Sequence, residues 1–256
     1  MPTLPRNPWL LVPEPRAGAR LRLVCCAFAG GGASFYRSWA RALPRDLELV
    51  AVQLPGRENR LNEPPLVRMD EIVAHAAQAL RPLAGGDPPV VLFGHSMGAL
   101  LAFELARAWR GLGAVQRLIV SGCLAPSLPR VQAPLHALPD GALVAELRRM
   151  GGTPAEVLAH DELMALLLPR LRSDLRACET YRYRPDAPLD CPLTALGGHD
   201  DRAITPERLA AWASETTAPF ALRLFAGGHF FVESARPAVL DFIAATLAAF
   251  PARLAI

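Results

Sequence analysis

Residues 89–112 read PVVLFGHSMGALLAFELARAWRGL. A continuous apolar run enters Gly94-His95-Ser96-Met97-Gly98, and helical spacing of apolar residues begins directly after it. Glycine is among the weakest helix formers, so two glycines around a helix start need a reason other than propensity. The reason is geometric. Between a buried strand and a helix, G-x-S-x-G places the serine on a sharp, strained turn with its hydroxyl exposed, and the glycines leave room for close helix–strand packing. The first N–H groups of a helix starting at Met97 then point to where negative charge would develop beside Ser96. A tight strand–helix turn with an incidental serine is the other reading; spacing and context together favour the elbow.

Working outward, five more apolar runs resemble this strand: LRLVCCAFA (21–29), LELVAVQLP (47–55), RLIVSGCLA (117–125), CPLTALGG (191–198) and FALRLFAGG (220–228). Their hydrophobicity is continuous rather than alternating, as expected of strands buried on both faces of a parallel sheet. Helical spacing is expected over 35–43, 69–83, 97–112, 206–213 and 235–250. The alternation predicts an α/β chain with a doubly wound, mostly parallel sheet. It breaks between 126 and 188, where PDGALVAELRRM, TPAEVLAHDELMALLLPRL and SDLRACETYRY suggest three helices in succession without a strand. That stretch is too long for a loop. It reads as a helical insertion over one end of the sheet, within a single domain spanning 1–256.

The 256 residues are 52% hydrophobic and 20% charged, which predicts an ordinary globular chain with a sizeable core. The net charge of +3 is too small and scattered for a nucleic-acid partner, and all 27 basic residues are arginine. The five cysteines are odd in number and lack CxxC spacing, so buried reduced thiols in a cytoplasmic protein are expected. Cys25 and Cys26 fall in one strand and should point to opposite faces. Neither the cysteines nor the six histidines suggest a metal site, and no cofactor is expected. The N-terminal residues lack the basic-then-apolar order of a signal peptide. No charge-free apolar run reaches the ~18 residues of a membrane span, so no membrane partner is expected.

A serine hydroxyl needs a base to take its proton, and on such a sheet the partners follow in the order Ser, acid, His. His229 lies in a Gly-rich turn beyond the last strand, and Asp200 and Asp201 lie beyond the preceding one. His75 falls inside an expected helix, and His136 and His160 fall in the insertion. His95 should point away from the serine, and His199 reads as a turn residue. Spacing does not choose between the two aspartates for the role of orienting the His229 ring.

Together, AFAGGGASFY (27–36), QLPGRENR (53–60), FGHSMGALLAFELAR (93–107), LGGHDDRAIT (196–205) and AGGHFF (226–231) resemble, in that order, the motifs of type II thioesterases. These stand-alone editing hydrolases accompany polyketide synthases and nonribosomal peptide synthetases. The resemblance covers about 21–250 and implies an α/β-hydrolase core with a helical lid. It implies hydrolysis of acyl thioesters from the phosphopantetheine arm of an acyl or peptidyl carrier protein, by a monomer without metal or cofactor. The implied catalytic residues are Ser96, Asp201 and His229, with the backbone N–H groups of Ala29 and Met97 as the oxyanion hole. The family's G-x-x-D-P stretch aligns on Gly198 and favours Asp201 over Asp200, although Arg202 replaces the proline. Ala27 and Phe28 replace its usual Pro-His. "PGRE" (55–58) is a family signature without a derivable role beyond a turn. A carboxylesterase or lipase acting on small free esters would use the same three residues.

Overall fold

The computed structural model describes residues 7–85, 87–129, 134–248 and 250. The expected domain limits at 1 and 256, residues 130–133 of the insertion and residue 249 of the last helix lie outside them. The six expected strands form: β2 (Leu21–Cys26), β3 (Leu47–Val52), β4 (Val90–His95), β5 (Val115–Ser121), β6 (Leu193–Gly198) and β7 (Phe220–Phe225). Four of them, β2, β3, β4 and β6, are buried along their whole length, which is why their sequences run apolar without alternation. A seventh strand that the apolar pattern did not announce, β1 (Leu10–Leu11), pairs antiparallel with β3 through Leu10–Val52 and Leu11–Ala51. The sheet order is β1-β3-β2-β4-β5-β6-β7, and every pairing from β3 onward is parallel.

Helices cover both faces. On one face, Trp39 of α1 (Arg37–Ala42) packs with Leu23, Cys25 and Val91. On the other, α2 (Met69–Leu80) and α3 (Met97–Ala108) pack through Ile72, Ala76 and Leu100 on Val24, Cys26 and Leu92. Adjacent Cys25 and Cys26 thus face opposite cores, and both thiols are free and buried.

Between β5 and β6 stand α4 (Asp140–Met150), α5 (Ala155–Leu158) and α6 (Asp161–Glu179). They build a third apolar cluster, with Leu143, Leu158, Met164, Leu168 and Leu171 at its centre. The chain closes with α7 (Pro206–Ala210), α8 (Phe231–Ser234) and α9 (Arg236–Ala248). α9 returns to the α1 face, burying Val239, Leu240, Ile243 and Leu247. Each such side chain contributes about 1.5–3 kcal/mol by leaving water. Among the described residues no helix is long and apolar enough to cross a membrane.

Candidate active site

Strand β4 ends at His95 and α3 begins at Met97, which leaves Ser96 to make the whole turn. Its backbone sits at φ 53° and ψ −116°, a conformation that a residue with a Cβ adopts only under constraint. The constraint is visible on both sides. The Ser96 N–H donates to the Ser121 carbonyl of β5 at 2.8 Å. A Cβ on Gly94 would lie 1.9 Å from the Gly98 carbonyl oxygen, and one on Gly98 would lie 2.0 Å from that of Cys26. The two glycines are therefore required by contact between α3 and strands β2 and β4.

Asp201 and His229 come from the loops after β6 and β7, on the same end of the sheet as Ser96. The His229 Nδ1 donates to Asp201 Oδ2 at 2.7 Å, and Asp201 Oδ1 accepts the N–H groups of Ala203 and Ile204 at 3.0 and 3.1 Å. Burial raises the Asp201 pKa. The His229 hydrogen bond and charge, with the two backbone donors, outweigh it and hold the carboxyl below its ordinary value. The Nε2 atom of His229 is buried and has no hydrogen-bond partner among the described residues. His229 and Ser96 line one cavity of about 240 Å³. Of the competing aspartates, Asp200 is exposed while Asp201 is buried against His229.

The cavity is also lined by Phe28, Ala29 and Phe230 and by Leu147, Met164, Leu167 and Leu171 of α4 and α6. Phe28 stacks edge-on against Phe35, His95 and Phe230 at centroid distances of 5.1, 5.9 and 5.1 Å. Where the family motif commonly has histidine, this chain places an apolar ring in the site. Among the described residues, no group of three His, Cys, Asp or Glu side chains is arranged to hold a metal ion.

Most of the remaining histidines have local partners. His75 stacks on Trp9 at 5.5 Å, His136 pairs with Glu179, and His160 caps α6 at Leu163. His199 is exposed. His95 turns to Ser121, whose Oγ its Nδ1 meets at 2.9 Å, and its ring lies 5.1 Å from that of His229. Burial, and then the nearby His229, hold His95 well below the ordinary histidine range, so it stays neutral beside the site. Sequence reasoning also passed over Arg57 and Asp174, a buried ion pair between the "PGRE" stretch and α6. The motif was the one signal for it, since its partner lies 117 residues away.

Against known proteins, the family described as "Thioesterase domain" matches residues 21–247. The chain is 41% identical over 239 residues to the gramicidin S biosynthesis protein GrsT of Aneurinibacillus migulanus, covering 93% of each. It is also 41% identical over 226 residues to thioesterase PikA5 of Streptomyces venezuelae, covering 88% of this chain and 80% of that protein. Among solved structures, the type II thioesterase BorB from the borrelidin biosynthetic cluster superposes with a TM-score of 0.86. It shares 45% identity, over 94% of this chain and 98% of that one.

Proposed function

The chain belongs to the thioesterase family, and from that membership we propose that Ser96, His229 and Asp201 hydrolyse stalled or aberrant acyl groups from the phosphopantetheine arm of carrier proteins in natural-product biosynthesis. The observation that carries this reading is the strained Ser96 sharing an apolar cavity with a His229 whose Nδ1 is committed to Asp201 and whose Nε2 is otherwise unengaged among the described residues. With Nδ1 as the proton-bearing nitrogen, Nε2 carries the lone pair that a general base requires.

Ser96 Oγ attacks the thioester carbonyl and passes its proton to His229 Nε2. Asp201, ionised at neutral pH, steadies the imidazolium that results. The tetrahedral oxygen takes hydrogen bonds from the N–H groups of Ala29, in the loop after β2, and Met97, the first residue of α3. The carbon–sulfur bond breaks with the proton returning to sulfur from His229. A thiol pKa of about 8.5 makes this a far easier departure than that of an alkoxide. Water activated by the same ring then releases the acid from Ser96. Helices α4–α6 act as the lid and line the acyl side of the cavity. At about 240 Å³ it is smaller than the roughly 300–1,000 Å³ of pockets for drug-sized ligands, which suits a short acyl chain.

The deciding experiment follows acetate release from an acetyl-loaded, phosphopantetheinylated carrier protein by wild type and Ser96→Ala. Release by wild type alone, faster than from a simple acetyl ester, supports the reading. Brisk cleavage of free esters without carrier unloading would turn it into a carboxylesterase. Equal activity in both proteins would remove Ser96 from the mechanism.

A further inference from the structure

The "PGRE" stretch grips the loop that supplies Ala29. Residues Phe28 to Gly31 form a tight turn closed by the Gly31 N–H donating to the Phe28 carbonyl at 2.9 Å. Gly30, in the third position, has φ 80°, as a type II turn requires. In such a turn the central peptide, here Ala29 C=O and Gly30 N–H, has a second orientation related by a flip of about 180°. The structure holds one of them. Gly30 N–H donates to Asp174 Oδ2 at 2.7 Å, and a flip would turn the Ala29 carbonyl oxygen towards that carboxylate.

Asp174 is itself fixed. Arg57 Nη1 and Nη2 donate to its Oδ2 and Oδ1 at 2.8 and 2.7 Å, and Nη1 also donates to the Gly31 carbonyl at 2.8 Å. Neighbours of Arg57 complete the grip. Gln53 Oε1 accepts the Ala33 N–H at 2.8 Å, and Glu58 Oε1 accepts the Ser34 hydroxyl at 2.6 Å. A Cβ on Gly32 would fall 2.0 Å from Glu58 Oε1, so that carboxylate occupies the space beside the loop.

Both charges are out of water, with side-chain exposures of 2% for Arg57 and 0% for Asp174. A buried ion pair typically contributes little net stability over an apolar pair of the same shape, so its directional bonds are the better account of its presence. Asp174 belongs to α6, whose Leu171 Cδ1 would lie 3.2 Å from a Cβ on Gly30. The loop and the lid helix therefore share one set of contacts.

We propose that Arg57 and Asp174 are positioning residues for thioester hydrolysis: their bonds to the Gly31 carbonyl and the Gly30 N–H pin the turn 28–31 against α6, and the Ala29 N–H that serves as oxyanion donor is placed by the seating of that turn. This rests on the serine mechanism above and adds that the seating of the lid sets the competence of the oxyanion hole.

The test compares Asp174→Asn with wild type on an acetyl-pantetheine thioester, with Ser96→Ala beside them. Whichever way the Asn amide is turned, its NH₂ faces an Arg57 N–H, and in one of the two orientations it also faces Gly30 N–H, so the two-pronged Arg57 bond that seats the turn is broken in both. The expected result is a kcat lower by about 10–100-fold, KM within about twofold, and an equal loss of affinity for an alkylboronic acid that forms a tetrahedral adduct on Ser96. Burial and the like charge of Arg57 hold the Arg170 guanidinium below its ordinary range, so loss of Asp174 leaves two cations facing each other and the variant could misfold. The double variant Arg57→Met/Asp174→Leu removes both buried charges, and the same losses of kcat and boronate affinity are expected of it. Wild-type kcat in either folded variant, a loss confined to KM, or failure of both variants to fold would overturn the proposal. Activity retained by Ser96→Ala would sink the serine mechanism, whereas an inactive Ser96→Ala beside a fully active Asp174→Asn sinks the positioning role alone.

Discussion

Two adjacent aspartates give the sharpest contrast between residues. Asp201 is tied to His229 and two backbone donors, while Asp200 is exposed. Asp201→Asn keeps the shape of the site but favours the wrong tautomer of His229, and kcat should fall by about 10³–10⁴-fold. Asp200→Ala should stay within about twofold of wild type in the same assay; equal losses in the two would contradict the assignment. The choice was not legible in residue spacing, because both side chains occupy one turn and only burial separates them. Ser96 was legible because its two glycines are demanded by backbone contact. Gly98→Ala would drive a methyl group to 2.0 Å from the Cys26 carbonyl oxygen, where no flexible side chain can yield. It should cost at least about 3 kcal/mol by denaturant unfolding, the upper range of overpacking costs. A cost below about 1 kcal/mol would mean that β2 and α3 are not locked at this point.

At the scale of elements, the buried strands were legible because burial on both faces removes alternation, whereas a two-residue edge strand such as β1 carries too little pattern to register. The three helices between β5 and β6 were anticipated in number but not in division. Residues 153–171 read as one helix, yet His160 caps a new start, and Asp161 and Glu162 in its first turn suit the positive end of α6. α6 then runs through Pro169, whose exposed position leaves the kink-prone side of the helix in solvent. Met164 on this helix is buried and lines the cavity, so its truncation tests what the lid contributes to selectivity. Met164→Ala should cost about 2–5 kcal/mol of stability and open the acyl wall. Each additional methylene that the wall accepts is worth about 0.8 kcal/mol, or about fourfold in kcat/KM. Hexanoyl over acetyl thioester preference should therefore rise several-fold in Met164→Ala. An unchanged chain-length profile in a folded variant would place the acyl group elsewhere.

For the molecule as a whole, the mostly parallel sheet followed from the alternation, and the C-terminal ends of parallel strands lie on one side of a sheet, which is where Ser96, Asp201 and His229 stand. Contacts between distant segments did not follow, Arg57 with Asp174 and His95 with His229 among them, because no local pattern encodes them. His95 also sets how global stability responds to acid. Its folded pKa is depressed, by burial first and then by the charge of His229, so below the unfolded value of about 6.5 the unfolded chain binds a proton that the folded site refuses. Its contribution is therefore intact above pH ~6.5 and is progressively lost below it. Asp201, depressed below the ordinary carboxylate value, loses its contribution only at more acidic pH, as the solution falls through its own folded pKa. Between pH ~6.5 and ~5 the proton refused by His95 thus destabilises the folded chain and lowers its melting temperature. His95→Gln should melt lower than wild type at pH 8, because it disturbs the contact with Ser121, but its melting temperature should fall less than that of wild type between pH 8 and 5. Melting curves of the two proteins with parallel pH slopes would show that the buried imidazole takes up its proton without unfolding.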